Sequence, residues 1–129
     1  QQVYAANCAS CHQATGAGIP GAFPPLAGHA PELVEVDRGR TYLVDALLYG
    51  LQGQISVSGV TYNGVMPAWA FLSDEQIAAV ANYSLYNWDN DAALPDGFAP
   101  ITPDEVAAER GKGWTGTDVH DVRREIGLP

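Results

Sequence analysis

The residues best placed to do chemistry are two cysteines and a histidine near the amino terminus. They lie in the run Cys8-Ala9-Ser10-Cys11-His12, which contains the only cysteines of the 129-residue chain. Side chains three positions apart on a helical turn share a face, so both thiols can meet the two vinyl groups on one edge of a porphyrin. The imidazole of His12 can then bind the iron. This spacing predicts one haem c, attached covalently through Cys8 and Cys11.

Three other uses of paired cysteines fit this stretch less well. A thioredoxin-like C-x-x-C motif belongs to a βαβ unit, whereas the flanks here read as a short helix and a glycine-rich loop. A zinc site needs two more ligands at a typical spacing, and the remaining histidines, His29 and His120, form no second pair. A disulfide across two residues is strained.

A second iron ligand is predicted at Met66, the only methionine in the chain. Histidine and methionine together ligate the iron of electron-transfer cytochromes, and Pro67 stiffens the chain after the ligand. Met66 could instead fill a gap in the core, and His29 and His120 are alternative ligands. With His12 and Met66 both bound, the iron has no open position for oxygen or peroxide. We therefore expect electron transfer and no enzymatic activity.

Length, hydropathy and charge limit the classes of function. The 129 residues are expected to form one domain, and no run reaches the roughly 18 apolar residues of a membrane span. The net charge of −9 argues against binding nucleic acid or an anionic membrane surface. No basic and apolar leader is visible, so we expect that an export signal has been removed and that the protein is periplasmic.

The charged residues avoid two long stretches of the chain. Residues 1–31 and 46–73 contain no Asp, Glu, Lys or Arg. Both predicted iron ligands lie in these stretches, and the acidic residues elsewhere are expected on solvated faces. We therefore expect the exposed haem edge to lie in a neutral, apolar patch surrounded by acids. Such a patch would make brief apolar contact with a partner that the acidic flanks attract from a distance.

Turn and cap residues divide the first half of the chain into short elements. We expect a helix over residues 2–8, a loop over 13–28, and a further helical turn within 30–38. Thr41 is predicted to cap a helix over 42–49 that ends at Gly50. Alternating apolar residues on either side of Ser58-Gly59 predict a small hairpin over 54–63. The candidates for contact with the porphyrin in the loop are Ile19, Phe23 and Leu26.

Capping boxes identify the later helices. Ser73-Asp74-Glu75-Gln76 predicts a helix from Asp74 to about Trp88. A linker is expected over 89–101. A second capping box with proline at the first helical position, Thr102-Pro103-Asp104-Glu105, predicts another helix. A last helix is expected over 117–126.

Several of these segments together resemble bacterial class I cytochromes c. They are Cys8–His12, Gly21–Gly28, Tyr62–Pro67 and the helix start Leu72–Glu75. The run Leu47–Ile55 and a helical C-terminal extension make the chain most like the extended soluble cytochromes c of Thermus-type bacteria. The resemblance implies an all-α fold wrapped round one covalent haem, with a small β-hairpin. It also implies a cytochrome core over 1–88 and an extension over 89–129 that packs on the same domain as a stabilising clamp.

The same resemblance suggests roles for residues around the haem. A carbonyl of Pro24 or Pro25, preferably Pro24, would accept a hydrogen bond from the ring of His12 and fix its orientation, and Leu26 would pack on the porphyrin. Donors are expected near the propionates, although the candidates could equally be packing residues. These candidates are Tyr62, Asn63 and Trp69. The chain is acidic, whereas the Thermus-type cytochromes that it resembles are rich in lysine. This difference leaves the identity of its partner open.

The resemblance implies a soluble, monomeric, monohaem electron carrier. Its partners would be redox proteins, a quinol-oxidising complex as donor and a ba-type haem–copper terminal oxidase as acceptor, with no small-molecule substrate. One alternative is an electron-transfer module of a periplasmic dehydrogenase or reductase. A third hypothesis is a haem sensor in which Met66 dissociates from the iron. Carbon monoxide binding to the reduced protein would distinguish the sensor from the other two.

Overall fold

Short helices and two small pairs of strands make up residues 2–129, which this computed structural model describes. The helices, in chain order, are α1 (Gln2–Asn7), α2 (Ala9–His12), α3 (Ala30–Leu33), α4 (Gly39–Tyr49), α5 (Asp74–Tyr86), a 3-10 helix (Asn90–Ala93), α6 (Pro103–Glu109) and α7 (Gly116–Glu125). The strands are β1 (Leu51–Gln52), β2 (Ile55–Val57), β3 (Val60–Tyr62) and β4 (Val65–Met66). Within these residues no helix is both long and apolar enough to cross a membrane.

Helices α4 and α5 form the centre of the packing. Helix α4 contacts α5, α6 and α7, and α5 also contacts α1. Burying apolar side chains contributes about 1.5–3 kcal/mol for each fully buried aliphatic residue, so this contact region supplies much of the stability. Its members that are almost completely buried include Leu48, Ile77, Leu85, Val106 and Val119.

The strands form two separate antiparallel pairs. Strands β2 and β3 pair as the predicted hairpin, with Ile55 opposite Tyr62. Strands β1 and β4, which were not predicted, pair with Leu51 opposite Met66. Two-residue strands carry too little alternation for a sequence pattern to show. The β1–β4 pair matters because it holds the segment that contains Met66.

Helix α4 begins earlier than its sequence predicts. Thr41 is not the N-cap, because the helix starts at Gly39 and the cap position is Arg38, with φ of 67°. A side chain on Gly39 would collide with the backbone carbonyl of Leu33. Glycine therefore lets α4 begin close against α3, and this tertiary contact overrides the capping preference of Thr41.

Helix α5 begins at its predicted capping box but ends early, at Tyr86 rather than Trp88. Both reciprocal hydrogen bonds between Ser73 and Gln76 are present. Trp88 has φ of 56° and packs against Tyr4 with ring centroids 5.2 Å apart. Its indole N–H donates to the carbonyl of Ala14 at 3.1 Å. These contacts with the amino-terminal segment turn the chain out of the helix.

The C-terminal residues contain more structure than expected. The segment 89–101 holds the 3-10 helix, and the buried Asn90 amide joins Gly28, Leu26 and Ser84 by hydrogen bonds of 2.7–3.0 Å. Helix α6 begins at the predicted Thr102 capping box. Helix α7 begins one residue before the expected start, with Thr115 and Asp118 forming a third capping box.

Candidate haem site

Helix α2 positions the two thiols of the Cys-x-x-Cys-His run. Cys8 occupies the cap position before α2, and its carbonyl accepts the backbone N–H of His12 at 2.9 Å, which closes the turn. Cys8 is 8% exposed and Cys11 is half-buried, and both are free thiols that line the same cavity. Burial, followed by the neighbouring Cys11, raises the pKa of Cys8 to about 11. The Cys8 sulfur therefore lies at the cavity wall as a neutral thiol.

The ring of His12 is oriented by one hydrogen bond. Its Nδ1 lies 2.8 Å from the carbonyl oxygen of Pro24, and because a carbonyl can only accept, Nδ1 carries the proton. This confirms the bond expected to Pro24, and it leaves the lone pair on Nε2 for a metal. Burial lowers the pKa of His12, while the Pro24 bond opposes that shift. The imidazole is therefore neutral at physiological pH, the form that ligates iron.

Met66 borders the same cavities as the cysteine-bearing segment. Two adjoining cavities, of about 260 Å³ and about 80 Å³, are both lined by His12 and by Met66. Because the two cavities share many of their lining residues, we treat them as parts of one slot. The shared residues are Cys8, His12, Pro24, Leu51, Ile55 and Met66.

The other residues predicted to surround a haem divide into three groups. Phe23, Tyr62 and Trp69 line the larger cavity. Pro25 and Leu26 line the smaller one. Neither cavity is lined by Ile19 or Asn63, which are both exposed.

Tyr62 and Trp69 bring polar groups to the larger cavity. Tyr62 is 4% exposed and Trp69 is half-buried. Within residues 2–129, neither the Tyr62 hydroxyl nor the Trp69 indole N–H makes a hydrogen bond to the protein. Neither atom is cut off from solvent, so both groups are accessible to a polar ligand at the larger cavity.

Arg123 is a site residue that the sequence reasoning missed. It is 3% exposed and lines the smaller cavity. Its Nη1 donates to the Tyr42 hydroxyl at 2.8 Å and its Nε donates to the Pro129 carbonyl at 3.3 Å. Its buried Nη2 has no partner among the described residues. An unpaired guanidinium N–H at a cavity wall suits a carboxylate, such as a haem propionate.

A sequence signal for Arg123 does exist. Arginine stands four residues after Val119 and three before Ile126, positions that share one face of a helix. Val119 is fully buried, so this face packs inward. A cation in the apolar stripe of an otherwise polar helix indicates a buried partner.

The two alternative histidine ligands are engaged elsewhere. His29 lines the smaller cavity, but its Nδ1 lies 2.9 Å from a carboxylate oxygen of Glu32. His120 lines neither cavity, and its Nε2 donates to the Gln54 carbonyl at 2.7 Å. Across residues 2–129, no group of three or more His, Cys, Asp or Glu side chains could hold a metal ion, which weighs against a zinc site.

The donor set fits a covalent haem. Two thiols three residues apart, an imidazole with its tautomer fixed, a thioether and an unpaired guanidinium all border one slot. These groups match the vinyl, iron and propionate chemistry of a porphyrin.

Known proteins provide an independent comparison. The family model described as cytochrome c matches residues 1–88. Cytochrome c-552 of Thermus thermophilus is 53% identical over 123 residues, covering 95% of this chain and 93% of that protein. The cytochrome c subunit of a quinone alcohol dehydrogenase from Gluconacetobacter polyoxogenes is 35% identical over 115 residues, covering 86% of this chain and 24% of that protein. The chain belongs to the cytochrome c family and binds haem c covalently through Cys8 and Cys11.

Proposed function

We propose that this electron carrier works in the periplasm, between a quinol-oxidising complex and a haem–copper terminal oxidase, with His12 and Met66 as the two axial ligands of its iron. The observation that supports the ligand pair is that both residues border each of the two adjoining cavities. The similarity to the Thermus cytochrome over 95% of this chain supports a self-contained carrier.

When bound, haem c supplies an iron that alternates between the ferric and ferrous states. His12 and Met66 would hold that iron in both states. The Pro24 carbonyl keeps Nδ1 of His12 protonated and Nε2 free. The Met66 thioether favours the ferrous state and so raises the reduction potential. With His12 and Met66 both bound to the iron, no position would remain there for a substrate, and the haem would serve electron transfer alone.

The rim of the larger cavity is suited to contact with another redox protein. Among residues 2–129, no Asp, Glu, Lys or Arg lines this cavity. Val65, which does line it, is 67% exposed. Phe71, which is 74% exposed, packs on Trp69 in a tilted arrangement with the ring centroids 5.5 Å apart. Apolar side chains in an uncharged rim permit close but short-lived contact. Acidic residues elsewhere on the surface would then attract a basic partner over a longer range.

A second candidate function is an electron-transfer module of a periplasmic dehydrogenase. The 35% identity to a cytochrome c subunit of a quinone alcohol dehydrogenase supports this alternative. The two functions differ in the acceptor. Reduced protein that is oxidised rapidly by an isolated terminal oxidase, but exchanges electrons slowly with dehydrogenases, would favour the carrier.

The axial pair is tested by replacing Met66. In Met66→Ala the oxidised protein should lose the red absorption band of a methionine–ferric iron bond. The reduction potential should fall, and the reduced protein should bind carbon monoxide. Val60→Ala, a change on β3 at a residue that lines neither cavity, should retain the wild-type behaviour. An unchanged potential in Met66→Ala would mean that another residue caps the iron. Carbon monoxide binding by the unaltered protein would instead favour a sensor.

A further inference from the structure

The strand that carries Met66 is packed closely against the segment before it. Met66 pairs directly with Leu51 in the β1–β4 ladder. A side chain on Gly50 would collide with the carbonyl oxygen of Met66, and Gly50 has φ of 79°. Glycine therefore allows β1 and β4 to approach each other. A displacement of β1 would consequently move the backbone of Met66.

Helix α7 packs on β1. A Cβ on Gly116, the first residue of α7, would lie 2.9 Å from the backbone N of Gln52 and 3.0 Å from the carbonyl carbon of Leu51. These are backbone atoms, which cannot swing aside as a side chain can. The start of α7 therefore lies directly against the backbone of β1, the strand that pairs with Met66.

Two more contacts fix the chain on either side of this point. The His120 ring lies against Gly53, and its Nε2 donates to the Gln54 carbonyl at 2.7 Å. Beyond them, the Ser56 N–H donates to the Pro129 carbonyl at 3.1 Å. Three successive contacts thus join α7 and the residues after it to the segment 51–56.

We propose that α7 positions Met66: by holding β1 against β4, it keeps the methionine sulfur on the iron and slows its release. This inference rests on the proposed role of Met66 as an axial ligand. The match to the cytochrome c family ends at residue 88. Helix α7, which would support Met66, therefore lies outside the part of the chain that the family match covers. Residues of α7 therefore influence the reduction potential and the exchange of the axial ligand, in addition to stability.

The first test compares two glycines that each begin a helix. Gly116→Ala pushes on β1, whereas Gly39→Ala pushes on the backbone of Leu33 and Val34, which lies outside β1 and β4. Gly116→Ala should weaken the red methionine–iron band of the oxidised protein, lower the reduction potential, and speed imidazole binding to ferric iron on the order of tenfold. Gly39→Ala should lower the thermal midpoint but leave the band, the potential and the imidazole rate unchanged.

A second pair of variants avoids steric clash. Thr115→Ala removes the side-chain cap of α7, and Thr102→Ala removes the equivalent cap of α6. Each cap is worth about 0.5–2 kcal/mol, so the two losses of stability should be similar. Only Thr115→Ala should speed imidazole binding. If Gly116→Ala fails to fold, this second pair of variants still tests whether α7 positions Met66.

The outcomes separate the two proposals. A wild-type protein without the methionine–iron band would overturn the axial role of Met66, and this inference with it. A normal wild-type band, with Thr115→Ala and Gly116→Ala behaving like their controls, would overturn the positioning role of α7 alone.

Discussion

Arg123 is a buried side chain, other than the predicted iron ligands, that bears on how the haem is held. Its Nη2 has no hydrogen-bond partner among residues 2–129. Leaving a charged donor buried without a partner costs several kcal/mol. The other nitrogens of Arg123 are satisfied by Tyr42 and Pro129, so the free Nη2 points to a missing acceptor. A propionate of the haem supplies an acceptor of the right charge. Arg123 would then be a cation held close to the iron.

Replacing that cation should make reduction of the iron harder. In Arg123→Gln the midpoint potential should fall by an amount equivalent to on the order of 1 kcal/mol, since a nearby positive charge stabilises the added electron. Potentiometric titration measures this shift. The control is Arg124→Gln, because the adjacent Arg124 is exposed and pairs with Asp121 at the surface. Equal potentials for the two variants would contradict the assignment of Arg123 to the haem pocket.

Individual residues were predictable where their role depends on a short sequence motif. The two thiols, His12 and the Pro24 hydrogen bond follow from a motif and its family resemblance, and the structure contains that bond. Arg123 and Asn90 were missed because their partners lie far along the chain. Asn90, for example, bonds to Gly28 and Leu26, more than 60 positions away in sequence. Only the folded chain shows such pairings.

At the scale of elements, a buried ion cluster joins α4 to the segment between α6 and α7. Asp45 in α4 is 1% exposed, which corrects the expectation that the acids lie on solvated faces. Its Oδ2 lies 3.3 Å from Nζ of Lys112, which also pairs with Glu109. Its Oδ1 has no partner among residues 2–129. Burial and then the nearby Glu109 raise the pKa of Asp45 to about 7, against the opposing effect of Lys112.

This cluster should make stability depend on pH. Between the usual pKa of 3.8 and about 7, the folded protein keeps a proton on Asp45 that the unfolded chain releases. The free energy of unfolding should therefore fall as pH rises through this window, by at most about 1.4 kcal/mol for each pH unit. Urea unfolding at about pH 5 and about pH 8 measures the change. Asp45→Asn should flatten this dependence, whereas Asp96→Asn, at an exposed loop position, should retain it. A dependence that persists in Asp45→Asn would assign the titration to another group.

Element boundaries were predictable where side chains cap helices. The boxes at Ser73 and Thr102 are both present as predicted. The start of α4 was wrong because close packing of Gly39 on Leu33 replaces a side-chain cap. The β1–β4 pair was missed since two residues per strand give no period to detect. Local preferences predict most elements here, and tertiary contact moves their ends.

At the scale of the whole molecule, charge is separated from the proposed electron-transfer surface. Arg110 pairs with Asp74 and Arg40 with Glu105, so part of the small basic complement is already neutralised at the surface. We expect the net charge of −9 to act on a partner over distance. The rim of the larger cavity, which has no charged side chain among residues 2–129, would act at contact. Association and contact would then be governed by different surfaces.

Charge introduced at the rim should disturb contact more than the same charge elsewhere. Val65→Glu places a carboxylate on the cavity rim, whereas Val60→Glu places one on β3, away from the lining residues. Val65→Glu should slow oxidation by a purified terminal oxidase on the order of tenfold, since a desolvated like charge or unpaired carboxylate is unfavourable at an apolar contact. Val60→Glu should change the rate little.

Raising the ionic strength should moderately slow oxidation of the unaltered protein, and neutralising acidic surface residues should remove that dependence. A steep salt dependence that survives their neutralisation would show that charges at the contact itself drive docking.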